Sequence, residues 1–285
     1  MGILEGKVAV ISGGTSGIGE RAAEMFVAEG AQVVIGGRRQ ERGRLLAARL
    51  GKAAIFVRTD VSEEADVKAM IDETVTRFGR IDCLLNNAGV PSQRAAIVDL
   101  DLGAFDAAMA IHLRGTLAAM KHAAPIMIRQ AAGSIINTAS INGIRAGLAG
   151  IDYCVAKAAV IHLTRCAAVE LGEKGIRVNC ISPGPIATGI FAKGAGLDPH
   201  AADLTAEAAK AAFAEILPKW QPLSRMGSVA DIAQAALFLA SDASSLMNGH
   251  NMIVDGGTIA GWPVSVTRVD LQHFATTLRT ELMSA

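Results

Sequence analysis

Short apolar runs alternate along this chain with longer stretches in which apolar residues recur at helical spacing. The first run, Lys7-Val8-Ala9-Val10-Ile11-Ser12, ends in Gly13-Gly14-Thr15-Ser16-Gly17-Ile18-Gly19. Behind it Ile18, Ala22, Met25 and Phe26 fall on one helical face, and Gly30 supplies the stop. Further strand-like runs are Gln32-Val33-Val34-Ile35-Gly36, Ala54-Ile55-Phe56-Val57-Arg58, Ile81-Asp82-Cys83-Leu84-Leu85 and Ser134-Ile135-Ile136-Asn137-Thr138. Ile176-Arg177-Val178-Asn179-Cys180-Ile181 and Met252-Ile253-Val254-Asp255 complete the series. About seven strands alternating with helices predict an α/β fold with one doubly wound parallel sheet. No composition break or internal repeat suggests a second domain. The catalytic domain is expected over residues 1–260, with an unassigned tail over 261–285.

Local signals set the helix expectations. Ser62 is expected to cap a helix whose first turn carries Glu63 and Glu64, as the helix dipole favours. A long helix is expected over about 105–130, kinked or ended by Pro125. The helix carrying Tyr153 is expected to run to about Glu173, with Gly175 just past its end. Ser228 with Asp231 reads as a capping box in which Asp replaces Glu. Residues 186–226 break the rhythm with alanine-rich helical pieces, and an insertion at the carboxyl end of a strand suits a substrate lid.

Composition removes whole classes of function. A chain of 285 residues that is 51% hydrophobic and 19% charged has ample core material. Its 27 basic and 27 acidic side chains cancel, which argues against nucleic acid or an anionic membrane as main partner. Charges punctuate every apolar stretch, so no membrane span is expected. The start, Met1-Gly2-Ile3-Leu4-Glu5-Gly6, shows no signal or myristoylation pattern. Cys83, Cys154, Cys166 and Cys180 are scattered, without metal-ligand spacing, and are expected to be reduced thiols in a cytoplasmic protein.

Candidate chemistry gathers in two places. A glycine turn between a buried strand and a helix lets the backbone approach a pyrophosphate, whose charge the helix start favours. Strand two then ends at Gly37-Arg38-Arg39, where an acidic residue would hold the ribose hydroxyls of NAD. Arginine there would receive the 2′-phosphate of NADP, or the pair simply solvates a loop end. Farther on, Tyr153, the only tyrosine, precedes Lys157 by one helical turn, so the ammonium is expected to lie beside the phenol and lower its pKa. Ser140 stands at the end of the strand before them.

These residues resemble the short-chain dehydrogenase/reductase family over about residues 4–260. The resemblance rests on Gly13-x-x-x-Gly17-x-Gly19, Asn86-Asn87-Ala88-Gly89, Ser140, Tyr153-x-x-x-Lys157 and Pro183-Gly184 followed by Thr188. It implies a Rossmann-like fold and hydride transfer between a nicotinamide and a secondary alcohol or ketone. Tyr153 would be the general acid/base, and Ser140 would hold the reacting oxygen. Lys157 would lower the tyrosine pKa and bind the nicotinamide ribose. Gly13, Thr15, Ser16, Gly17, Ile18 and Gly19 would cradle the phosphates. Arg38 and Arg39 would take the 2′-phosphate, favouring NADP(H) over NAD(H), although Ser16 stands where some NADP-using relatives carry a basic residue. Asp60 and Val61 would bound the adenine, Asn87, Ala88 and Gly89 would line the cofactor, and Pro183, Gly184, Ile186 and Thr188 would reach the nicotinamide side. Family members are commonly tetramers or dimers, which implies a homo-oligomer.

One position departs from the family. His112, in Ile111-His112-Leu113-Arg114-Gly115, stands where an asparagine is expected to hold a relay water. Histidine can do the same work with pH dependence near its own pKa, or be a tolerated packing residue, or disable the relay. In the lid, Ile190, Phe191, Phe213, Ile216, Leu217 and Trp220 suit a medium-sized apolar substrate, and equally suit ordinary helix packing. A non-catalytic nucleotide sensor with this fold is the alternative from another class, but it would be expected to lose Ser140, Tyr153 or Lys157. An enoyl reductase would be expected to show a wider tyrosine–lysine interval.

Overall fold

The computed structural model describes residues 2–284. Strands β1 (Val8–Ser12), β2 (Gln32–Gly37), β3 (Ala54–Arg58), β4 (Cys83–Asn86), β5 (Gly133–Thr138), β6 (Ile176–Pro183) and β7 (Asn251–Val254) form one sheet. Their spatial order is β3-β2-β1-β4-β5-β6-β7, and every neighbouring pair is parallel. All five residues of β1 are buried, which explains why its sequence is a continuous apolar run instead of an alternating one. Ile11 and Ile35 pack with Phe26 and Ile232 on one face, while Val10, Val34, Leu84 and Ile135 pack with Met70 and Met127 on the other. Each such fully buried side chain contributes about 1.5–3 kcal/mol. The order in which strands are added reverses between β1 and β4, and a crevice opens there beyond the carboxyl ends of the strands.

The helices are α1 (Gly17–Ala28), α2 (Gln40–Leu50), α3 (Glu64–Phe78), α4 (Leu102–Met109), α5 (Gly115–Gln130) and α6 (Ile151–Gly172). In the lid α7 (Ile190–Gly194), α8 (Pro199–Asp203) and α9 (Ala206–Phe213) are short, and α10 (Val229–Ala240) and α11 (Val264–Ser284) follow. The Ser228–Asp231 capping box forms in both directions at the start of α10, and Gly175 takes the left-handed φ of +78° after α6.

Three local expectations are corrected. Ser62 does not cap α3: its N–H and hydroxyl both go to Asp60 Oδ1, at 3.1 and 2.7 Å, and Glu63 becomes the boundary residue. Pro125 neither ends nor divides its helix, because α5 continues to Gln130 with Met120, Ala123 and Met127 buried in the core. That packing outweighs the roughly 3 kcal/mol a helix-interior proline costs. The expected long helix is also not uniform: residues Ala110–Arg114, between α4 and α5, form a π-helical turn. Within the tail, left unassigned from sequence, residues 264–284 form the 21-residue helix α11.

Candidate active site

A cleft of about 990 Å³ lies over the carboxyl ends of β1, β4, β5 and β6 and under the lid. At its phosphate end Gly13 has φ +65°, and a Cβ there would lie 2.6 Å from the Cα of Ala88. The β1 turn and the β4 turn therefore touch backbone to backbone, and Asn87 Nδ2 donates to the Gly13 carbonyl at 3.1 Å. Ser12 Oγ accepts from the Asn87 N–H at 3.1 Å, which pins the second loop to the first. Gly19 is predicted to face the phosphates but does not line the cleft. A Cβ on it would lie 2.4 Å from the Gly13 carbonyl oxygen, so it lets α1 pack close behind the turn. Ser16 precedes α1 with no side-chain cap, which leaves the first-turn N–H groups to an anion.

The remaining predicted cofactor residues all line the same cleft. Thr15, Ser16, Gly17 and Ile18 come from the first turn, Arg38 and Arg39 from the end of β2, and Asp60 and Val61 from the end of β3. Asn87, Ala88 and Gly89 follow β4, and Pro183, Gly184, Ile186 and Thr188 close the far side. The two arginines differ. Arg38 is exposed and helps hold the Asp60 carboxyl below its ordinary value: burial pushes that group up, but the Ser62 hydrogen bonds and the two arginines Arg38 and Arg58 outweigh it. Arg39 is already engaged, donating to Ser16 Oγ at 2.6 Å and to Asp203 of the lid. A bare helix start, glycines that bring two backbones together and a free guanidinium at the end of β2 fit a nicotinamide dinucleotide.

At the other end Ser140 follows β5 in extended backbone (φ −169°), and its Oγ accepts from the Asn142 N–H at 3.2 Å. Its side chain is close enough to the Tyr153 phenol to favour the phenolate. Lys157, 3% exposed, projects from the next turn of α6; its Nζ donates to the Thr138 carbonyl at 2.6 Å and lies 5.5 Å from the Tyr153 ring centroid. Burial lowers the Lys157 ammonium to about 8. Burial likewise pushes the Tyr153 phenol up to about 12, with the Ser140 hydrogen bond pulling the other way. The depression of the tyrosine pKa expected from Lys157 is outweighed by burial. The ammonium faces the ring and donates to the Thr138 carbonyl.

His112 sits on the π-helical turn, 2% exposed, with its ring edge-on to Tyr153 at 5.2 Å and 87°. Its Nε2 lies 3.3 Å from the Val90 N–H and 3.1 Å from the Val90 carbonyl, while Nδ1 is buried without a partner. Burial, then the Lys157 charge, depress its pKa to about 3 against the raising effect of the Val90 contact. The pH dependence near its ordinary pKa expected from sequence is thus displaced, and the ring is neutral at physiological pH. Gly89 makes room for it, since a Cβ there would stand 2.9 Å from His112 Cε1.

In the lid Ile190, Phe191 and Phe213 line the cleft, whereas Leu217 is buried beneath with Ala187 and Met226. Trp220 stacks edge-on against Phe213 at 6.4 Å, and Ile216 is exposed. The apolar stripe therefore divides between cleft wall and packing. Sequence reading missed Thr138, Val90 and Asp203. The first two act through backbone atoms and carry no side-chain signal. Asp203 lies in an alanine-rich stretch whose approach to β2 only the fold creates.

The sequence profile of a family described as enoyl-(acyl carrier protein) reductase matches residues 13–258. The chain is 40% identical over 258 residues to tropinone reductase-like 1 of Erythroxylum coca, covering 89% of this chain and 90% of that one. It is 39% identical over 264 residues to secoisolariciresinol dehydrogenase of Forsythia intermedia, covering 89% of each. The crystal structure of levodione reductase superposes with a TM-score of 0.81 at 34% identity, over 91% of this chain and 100% of that one. A dinucleotide cleft on a doubly wound sheet, a serine, tyrosine and lysine at its mouth, and dehydrogenase and reductase relatives along most of its length place this chain in the short-chain dehydrogenase/reductase family, as an NAD(P)-dependent oxidoreductase of alcohols and ketones.

Proposed function

We propose that Tyr153 is the general acid/base of this oxidoreductase, that Ser140 holds the reacting oxygen, and that the enzyme prefers NADP(H) and an apolar, medium-sized ketone or secondary alcohol. The observation that carries this reading is the convergence of Ser140, Tyr153 and Lys157 on the wall of the dinucleotide cleft. A bound nicotinamide supplies or accepts the hydride. In the reductive direction the phenol of Tyr153, protonated because its pKa is about 12, gives its proton to the carbonyl oxygen as charge develops there. Ser140 Oγ–H donates to the same oxygen, an oxyanion-type contact preorganised by the Asn142 N–H. Lys157 keeps positive charge close to the phenolate that forms, and its remaining N–H groups are free to hold ribose hydroxyls. Reduction of ketones, not of enoyl double bonds, is supported by the four-residue Tyr153–Lys157 interval.

Arg38 supports NADP(H), because it is exposed at the end of β2 while no acidic residue occupies Gly37. Ile190, Phe191 and Phe213 support an apolar substrate. His112 is proposed to steady the phenol through ring contact and to hold the Val90 loop. The proposed setting is a homo-oligomer in the cytoplasm. Free cysteines at 83, 154, 166 and 180 support a reducing compartment, and exposed Leu117, Ile128, Val155 and Val169 on α5 and α6 support assembly.

A panel of ketones and secondary alcohols assayed with both nicotinamides tests this reading. Apolar ring ketones are expected to turn over fastest with NADPH. Arg38→Asp is expected to weaken NADP(H) binding roughly 10- to 100-fold, the worth of a charge-assisted hydrogen bond, and to spare NAD(H). An unchanged preference removes Arg38 from cofactor selection.

A further inference from the structure

The lid carries one carboxylate that is nearly inaccessible. Asp203, at the end of α8, has a side chain 6% exposed, and three cations converge on it. Arg39 bonds its Oδ2, Arg42 of α2 reaches the same oxygen at 2.7 Å, and Lys193 of α7 reaches Oδ1 at 2.8 Å. Arg39 also holds Ser16 and Thr15 of the glycine turn, so one guanidinium ties the lid to the phosphate end of the cleft. Arg42 is shared with Glu20 of α1 at 3.1 Å. Burial alone would raise Asp203, but the hydrogen bonds from Lys193 and Arg39 outweigh it and hold it below the ordinary carboxylate value. The group is therefore anionic at neutral pH.

We propose that Asp203 is a specificity-determining residue of the cofactor cleft, whose carboxylate, brought in by the lid, competes with a ribose 2′-phosphate for the guanidinium of Arg39. The inference rests on the NAD(P)-dependent reading of the cleft. Physically, β2 lacks an acidic side chain at Gly37, and the lid supplies one from elsewhere in the chain. A dianionic phosphate at Arg39 would face this carboxylate in a partly dry site, where like charges repel strongly. NAD(H) carries no such group and leaves the ion pair intact. Arg38, exposed and outside the cluster, remains the arginine available to the phosphate while the lid is latched. Two consequences follow: the lid taxes NADP(H) affinity, and NADP(H) loosens the lid where NAD(H) does not.

The test is equilibrium titration of the full-length protein with NADP+ and NAD+, followed by quenching of intrinsic tryptophan fluorescence, in the wild type, Asp203→Asn, Arg39→Gln and the double variant. Asp203→Asn is expected to tighten NADP+ binding about tenfold, by freeing one charge-assisted hydrogen bond, and to leave NAD+ unchanged. The gain should vanish in the Arg39→Gln background. Equal changes for the two nucleotides would overturn the proposal, since a merely structural lid contact would not distinguish them. So would weaker NADP+ binding in Asp203→Asn, which would mean that Asp203 positions Arg39 for the phosphate. Asp203→Glu provides a second reading if the asparagine variant folds poorly: retention of the carboxylate should keep the wild-type nucleotide ratio, and a raised NADP+ preference there would count against competition. Failure of the wild type to bind either nucleotide would instead overturn the cofactor reading beneath it.

Discussion

The two ends of the cleft are built by different means. At the reacting end Ser140, Tyr153 and Lys157 come from the end of one strand and the first turns of the following helix, within 18 residues of sequence. Their side chains are buried or half-buried and held by short-range contacts, such as Lys157 to Thr138 across 19 positions. At the other end the ion pair of Arg39 with Asp203 spans 164 positions and joins the end of β2 to the segment after β6. The first arrangement is built on α6 and β5, whose inner residues belong to the core. The second depends on where three short lid helices come to rest. Local construction suits groups that must meet a reacting atom, whereas a long-range ion pair suits selection and closure.

The strongest way to break this contrast is at the reacting end. Tyr153→Phe removes the proposed proton carrier but none of the contacts at the phosphate end, so turnover should fall roughly 10²–10⁴-fold while nucleotide affinity, read by titration, stays unchanged. Near-normal turnover would remove Tyr153 from the chemistry. A loss of nucleotide binding would show that the two ends are not independent.

A pH series sharpens the comparison with a smaller effect. Lys157 is lowered by burial from an ordinary value of 10.5 to about 8. Between those values the folded protein binds fewer protons at this site than the unfolded chain does. This group's contribution therefore makes stability rise as pH climbs from about 8 towards 10.5, and denaturant midpoints should show it against a Lys157→Met control. The same loss of the ammonium should weaken nucleotide binding above about pH 8 in the wild type only. A uniform loss in wild type and variant alike would place the titration elsewhere.

The smallest effect is expected at His112. His112→Asn loses a ring contact worth about 0.5–1.5 kcal/mol, so kcat should drop by no more than about tenfold. Because burial holds the imidazole near 3, kcat/KM should show no inflection around pH 6.5 that the asparagine variant lacks. Such an inflection would return to His112 the pH-sensing role that its burial takes away.

The extent to which the chain could be read in advance follows the same division. Continuous apolar runs had to be strands buried on both faces, and glycines between a strand and a helix had to bring backbones together, as Gly13 and Ala88 do. The Ser228–Asp231 cap was legible because both partners lie within one turn. Ser62 misled for the opposite reason: a competing acceptor, Asp60, stood two residues away, and propensity says nothing about which bond prevails. Pro125 does not end α5, because the core contacts that carry the helix past it come from other elements. Thr138, whose carbonyl takes the Lys157 ammonium, is one backbone carbonyl among many until the fold selects it.

By itself, the sequence determined the order of the elements, the parallel sheet, the dinucleotide turn and the spacing of Ser140, Tyr153 and Lys157, because each rests on periodicity or on neighbours within a few residues. Only the tertiary structure decided the charge states of Tyr153, Lys157 and His112, because burial is set by atoms from distant elements. It alone decided which arginine is free. Arg38 and Arg39 are equivalent neighbours in the chain and become different residues only when Asp203 arrives from the lid.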